Sequence, residues 1–169
     1  MKLGMIGLGR MGGNMARRLI AGGHEVVAYD RDQDAVAKLA ADGAIAATSL
    51  DDVREKLASG GDGRAIWWSM LPAGEITEAT VRAIAEHAKA GDIIIDGGNS
   101  FYKDDIRRAK ELAPKGIDYV DVGTSGGVWG RERGYCMMLG GREEVLTYLD
   151  PIFETLAPGT GDIPRTPYD

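Results

Sequence analysis

Short apolar runs alternate along the chain with stretches whose apolar positions recur every three or four residues, the pattern of a parallel sheet covered by helices. Residues 2–6, Lys-Leu-Gly-Met-Ile, read as a first strand. A glycine loop follows, then a helix over about 11–21 with Met11, Met15, Leu19 and Ile20 on one face. Gly22 and Gly23 end it, because glycine takes a left-handed cap without steric cost. A strand over 25–29, a helix over 33–41 and a short strand over 43–46 come next. Ser49 before Leu50-Asp51-Asp52 is an N-cap with acidic residues in the first turn, and the helix it opens runs to about 58. Residues 59–63 read as a surface turn. A strand over 65–71, stopped by Pro72, leads to a helix over 76–88, a strand over 92–96 and a helix over 103–112. Strands over 117–122 and 135–139 and a helix over 145–156 complete the pattern.

The order predicts an α/β fold of the doubly wound, Rossmann type, with a mainly parallel sheet and helices on both faces, filling residues 1–157. Pro158, Gly159, Gly161, Pro164 and Pro167 crowd the remainder, so 158–169 is expected to be a tail or linker toward a further, absent segment.

Composition narrows the partners. With 44% apolar and 27% charged residues the 169-residue chain is a globular mixture that fits one domain. Its net charge of −6, without a cluster of basic residues, argues against nucleic acid. Arg17-Arg18 and Arg107-Arg108 are isolated pairs, expected on solvated helix faces. The one cysteine, Cys136, excludes an intrachain disulfide and is expected to be buried as a small hydrophobe within the apolar run around it. His24 and His87 lie far apart, and no metal site is expected. No apolar stretch approaches the roughly 20 residues a membrane span needs, and a cytoplasmic protein is the expectation.

Candidate chemistry begins at Gly7-Leu8-Gly9-Arg10-Met11-Gly12, a G-x-G-x-x-G element between a strand and a helix. Gly7 suits the tight turn, Gly9 the close approach of a pyrophosphate, and Gly12 the packing of helix on strand. An acidic residue is expected about 20 positions on, at the end of the second strand, to accept the adenosine ribose hydroxyls. Asp30 stands there, which favours NAD over NADP because its charge repels a 2′-phosphate, while Arg31 beside it can accommodate that phosphate. The alternative is a glycine-rich packing turn with Asp30 as an ordinary turn residue.

The stretch from Ile6 to Ala16 resembles the β-hydroxyacid dehydrogenase superfamily. Asp96-Gly97-Gly98-Asn99-Ser100 resembles the corresponding element of the 6-phosphogluconate dehydrogenases within it, and Thr124-Ser125-Gly126-Gly127 matches a substrate loop shared across the superfamily. The resemblance covers residues 1 to about 157. It implies that Asn99 contacts both the nicotinamide ribose side and a substrate hydroxyl, that Ser125, Gly126 and Gly127 hold the substrate carboxylate, and that Met70, Leu71 and Pro72 pack on the cofactor. Asp30-Arg31-Asp32 and Val128-Trp129-Gly130 resemble the shorter, NAD-preferring branch rather than the longer NADP-dependent one.

The reaction so implied is oxidation of 6-phosphogluconate at carbon 3, loss of carbon dioxide and protonation of the enediol to ribulose 5-phosphate. The family draws its catalytic lysine and glutamate from a helical segment with a K-x-x-H-N-x-x-x-Y signature, and this sequence holds no such stretch. Lys103, Lys110 and Lys115 are not candidates, so no catalytic residue is expected in the chain, which by itself should bind dinucleotide without turnover. The resemblance also implies a homo-oligomeric parent. Another 3-hydroxyacid dehydrogenase, a non-catalytic NAD-binding module, or a protein using the fold as an interaction scaffold remain alternatives.

Overall fold

Aliphatic and aromatic runs form the sheet in the computed structural model, which describes residues 1–59 and 63–159. The strands are β1 (Lys2–Ile6), β2 (Glu25–Tyr29), β3 (Ile45–Ala46), β4 (Ile66–Ser69), β5 (Ile93–Asp96), β6 (Asp118–Ser125) and β7 (Cys136–Gly140). Among the described residues they form one sheet in the order β3-β2-β1-β4-β5-β6-β7. All pairings are parallel except β6 with β7, which is antiparallel. The helices are α1 (Arg10–Ala21), α2 (Gln33–Ala41), α3 (Leu50–Ala58), α4 (Glu75–His87), α5 (Tyr102–Leu112), α6 (Gly130–Arg133) and α7 (Glu143–Leu156). This is the expected Rossmann-type α/β architecture.

Successive side chains of a strand face opposite ways, and each face of the sheet carries its own core. Leu3, Met5, Trp68 and Ile95 pack with Met15 and Leu19 of α1 and with Leu149, Ile152 and Phe153 of α7. Val27, Trp67 and Ile94 pack on the other face with Val53 of α3, Val81 and Ile84 of α4, and Leu112 of α5. Trp67 and Trp68 are neighbours in sequence, yet each is fully buried in a different core. Each large side chain so buried contributes about 1.5–3 kcal/mol relative to exposure.

β1 lies between β2 and β4. The chain therefore leaves β1 toward one edge of the sheet and returns to continue toward the other, which opens a crevice at the carboxyl ends of β1 and β4. That reversal places the site.

Several expectations need correction. Cys136 is exposed, because β7 is the edge of the sheet and Met137 is the β7 residue that packs on the core. Arg108 is only 3% exposed and paired with buried carboxylates. Arg18 is not on a solvated face either: its guanidinium donates to the carbonyls of Thr155 and Ala157 at 2.8 Å each and to that of Arg131 at 3.1 Å. β6 runs three residues past its expected end because β7 pairs with it as far as Ser125↔Cys136. A 3-10 turn at Gly127–Trp129 and helix α6 were not anticipated. Of the expected turn and tail, residues 60–62 and 160–169 lie outside the described ones.

Candidate dinucleotide site

The loop after β1 is shaped by what lies against it. Gly7 has φ +94°, and a Cβ there would sit 2.5 Å from the carbonyl oxygen of Met70. A Cβ on Gly12 would collide with the carbonyl of Gly7. Gly9 differs: a Cβ there would meet no protein atom within 4 Å. Gly9 is also the N-cap of α1, which has no side-chain cap and no acidic residue in its first turn. The free N–H groups and positive dipole end of α1 thus face an open space beside Gly9, an arrangement that suits a diphosphate.

Asp30 closes the loop from the end of β2. Its Oδ2 accepts from the backbone N–H of Leu8 at 2.7 Å, and its Oδ1 accepts from that of Asp32 at 2.9 Å. Each oxygen keeps a further lone pair, enough to accept hydroxyl groups as well.

Two cavities flank this loop. The first, of about 340 Å³, is lined by Gly7, Asp30, Arg31, Leu71 and Pro72, with Ile76, Ala79, Thr80 and Ala83 of α4 as its wall. That wall was not anticipated. Its signal is a second apolar stripe: Ile76, Ala79 and Ala83 recur at spacings of three and four beside the buried Thr77, Val81 and Ile84. The second cavity, of about 380 Å³, is lined by Gly9, Arg10, Met11, Gly12, Met70, Leu71, Asn99, Ser125, Gly126 and Gly127. The structure therefore brings the expected cofactor and substrate residues to two adjoining cavities, and Leu8 contributes through its N–H to Asp30. Lys103, Lys110 and Lys115 line neither.

Asn99 is, among the described residues, the only one other than glycine with positive φ, at 53°. Its Oδ1 accepts from the N–H of Thr124 at 3.0 Å, and its Nδ2 donates to the Thr124 carbonyl at 3.3 Å. The amide thus ties the end of β5 to β6 and keeps one N–H and one lone pair for a ligand. A Cβ on Gly98 would collide with the Leu71 carbonyl, so the loop carrying Asn99 lies directly on the Met70-Leu71 backbone. Gly126, at φ +150°, rests on the Tyr135 ring, which a Cβ would approach to 2.9 Å.

Behind the second cavity lies a buried charged cluster. Asp96 is fully buried and pairs with Arg108. Burial raises the Asp105 carboxyl, and burial followed by the charges of Asp105 and Asp96 pushes Asp121 up to about 6. Hydrogen bonds from Arg107, against a smaller cost of burial, and then from Arg108 pull Glu78 down to about 2. Among the described residues no group of three or more His, Cys, Asp or Glu is placed to hold a metal ion, and no helix is long and apolar enough to cross a membrane.

Comparison with known proteins gives the family. A family model described as the NAD binding domain of 6-phosphogluconate dehydrogenase matches residues 2–162. The NAD(+)-dependent, decarboxylating 6-phosphogluconate dehydrogenase of Haloferax volcanii is 42% identical over 159 residues, covering 94% of this chain and 51% of that protein. The chain spans about half the length of the first curated relatives it matches. Among solved structures, Plasmodium falciparum 6-phosphogluconate dehydrogenase, studied with its cofactor NADP+ and its substrate 6-phosphogluconate, superposes with a TM-score of 0.84 at 25% identity, over 97% of this chain and 36% of that one. The 3-hydroxyisobutyrate dehydrogenase of Mycobacterium tuberculosis, with L-serine, superposes with a TM-score of 0.81 at 26% identity, over 93% of this chain and 52% of that one.

Proposed function

Since the chain belongs to the 6-phosphogluconate dehydrogenase family as its NAD-binding domain, we propose that it holds the dinucleotide for the oxidative decarboxylation of 6-phosphogluconate to ribulose 5-phosphate. In this reading the first cavity takes the adenosine, with Asp30 accepting from the ribose hydroxyls, Arg31 at the rim, and Pro72 and the α4 wall against the base. The N-terminus of α1 and the backbone at Gly9 take the diphosphate. The second cavity takes the nicotinamide half and, beside Asn99, Ser125, Gly126 and Gly127, the hydroxyls and carboxylate of the substrate. When bound, the dinucleotide supplies the hydride acceptor. The chain's own residues position and select: Asn99 offers a donor and an acceptor to a polyol, and the loop at 125–127 offers a hydroxyl and backbone N–H groups to an anion.

The observation that carries this reading is the empty space over Gly9 at the start of an uncapped helix, between two cavities that meet at Leu71. The negative charge of Asp30 favours NAD over NADP. The chain contains no K-x-x-H-N-x-x-x-Y stretch to move the substrate's protons, so by itself it binds dinucleotide and turns over negligibly. The parent enzyme is homo-oligomeric and cytoplasmic in this reading, with a small sugar-acid phosphate as substrate and neither nucleic acid nor membrane as partner.

Calorimetry with NAD and NADP, together with a turnover assay on 6-phosphogluconate, tests each part. Binding that favours NAD, without turnover, is the expected result. Absence of binding removes the cofactor role, and turnover by this polypeptide removes the claim that its proton chemistry lies elsewhere. A second reading, a dehydrogenase for another 3-hydroxy acid, draws on the likeness to the 3-hydroxyisobutyrate enzyme. A substrate screen of the whole enzyme with 6-phosphogluconate, 3-hydroxyisobutyrate and tartronate semialdehyde separates the two.

A further inference from the structure

Arg108 lines neither cavity, yet it is paired with Asp96, three residues before Asn99. It projects from the inner face of α5, where its Nη1 donates to Asp96 Oδ2 at 3.2 Å and to Asp105 Oδ1 at 3.3 Å, and its Nε donates to Glu78 Oε2 at 2.9 Å. Asp96, at the end of β5, uses the same carboxylate to hold the next loop. Its Oδ1 accepts from the N–H of Gly98 at 2.9 Å, and its Oδ2 accepts from the hydroxyl of Ser100 at 2.5 Å. The Tyr119 hydroxyl, donating to Asp105 at 2.9 Å, closes the cluster.

Gly98 and Ser100 flank Asn99, so the residue with the unfavourable backbone is pinned on both sides to one carboxylate. A non-glycine residue keeps a left-handed conformation only where its surroundings over-determine it. A buried carboxylate is oriented by the groups paired with it, and Arg108 is the cation paired with Asp96. We infer that Arg108 is a positioning residue for Asn99: it holds the Asp96 carboxylate in its orientation, Asp96 fixes the loop on either side, and the Asn99 amide is thereby aimed into the second cavity. The inference rests on the reading of that cavity as the nicotinamide and substrate side. Lysine cannot substitute, because one ammonium does not span Glu78, Asp96 and Asp105 as the planar guanidinium does.

Two variants of this chain test the idea: Arg108→Lys, and the milder Ser100→Ala, which removes one tether without leaving a charge unpaired. Two measurements are made on each. Amide hydrogen exchange in the ligand-free protein follows the N–H groups of Gly98 and Thr124 against those of β1 and β2. Calorimetry compares NAD with ADP, which carries the adenosine and diphosphate but no nicotinamide half.

The expected result is faster exchange at Gly98 and Thr124 with β1 and β2 unchanged. NAD affinity should fall by about tenfold for Arg108→Lys, as for one lost hydrogen bond to a positioned polar group, while ADP affinity stays within about twofold. Should Arg108→Lys fail to fold, Ser100→Ala carries the same two signatures at smaller amplitude. Unchanged exchange at both amides in a folded variant overturns the inference, as does an equal loss of NAD and ADP affinity, which marks general destabilisation. If the parent chain fails to bind NAD while the variants still release Gly98 and Thr124, the positioning role stands and the cofactor reading of the cavity falls.

Discussion

The backbone N–H of Leu8 donates to Oδ2 of Asp30 at 2.7 Å, joining the glycine loop after β1 to the end of β2 across 22 positions of sequence. Asp30 therefore shapes the loop as well as facing the first cavity, and the two roles separate by substitution. Asp30→Ala removes the acceptor and should cost about 1–2 kcal/mol of stability, along with dinucleotide affinity for NAD and NADP alike. Asp30→Asn keeps an acceptor for Leu8 and removes the charge, so it should spare most of the stability while narrowing the preference for NAD over NADP. Denaturant melts and calorimetry with both cofactors check the pair.

Gly9 and Gly12 should respond in different ways. A Cβ on Gly12 strikes the Gly7 carbonyl, so Gly12→Ala should lower stability by roughly 1–3 kcal/mol, as overpacking does. Gly9 has an ordinary negative φ and open space around it, so Gly9→Val should cost only the loss of a favoured N-cap residue, about 1 kcal/mol, while abolishing NAD binding. Thermal melts with and without NAD distinguish these outcomes, and a Gly9→Val protein that still binds NAD contradicts the placement of the diphosphate.

Asp121 makes stability depend on pH in a direction unusual for an aspartate. Burial, with Asp105 and Asp96 adding to it, raises its carboxyl from 3.8 to about 6. Between those values the folded protein binds a proton that the unfolded chain has released, so this group's contribution falls as pH rises through the window. Asp121→Asn should therefore be more stable than the parent at pH 7.5, by roughly 1–2 kcal/mol after discounting for partial exposure, and the two should converge near pH 4. Glu78 acts with the opposite sign: held at about 2 by its arginines, it stabilises fully above 4.5 and loses that contribution progressively as pH falls from 4.5 to about 2. Urea titrations of both proteins from pH 4 to 8 provide the test.

Cys136 lies exposed on the edge strand, and a thiol reagent such as Ellman's should titrate one thiol per chain in the native protein without denaturant. Failure to react until unfolding contradicts that position.

What could be read before folding was what is local. The periodicity of residues 2–21 locates β1, the glycine turn and α1 to within a residue, since strand, cap and helix signals all act over a few positions. Helix α7 was legible even with Pro151 inside it, because Leu149, Ile152, Phe153 and Leu156 keep its buried stripe. Arg108 was misjudged for a reason that locality explains. Nothing within a turn of it predicts burial; its fate is set by Glu78 and Asp96, which only packing brings near. Cys136 was misjudged likewise, since an apolar run does not reveal whether its strand is central or at the border. At the site, the glycines and Asp30 announced themselves by spacing. The α4 wall, made of small and apolar residues without chemistry, did not.

Leu71 is, among the described residues, the one residue that lines both cavities. The ends of the cleft thus draw on different residues of the same two loops, the glycine loop and residues 70–72, and meet at one aliphatic residue. Protein engineers could treat them as interchangeable modules, redesigning the Asp30 end to take a different coenzyme while keeping the Asn99 end, provided the leucine between them stays.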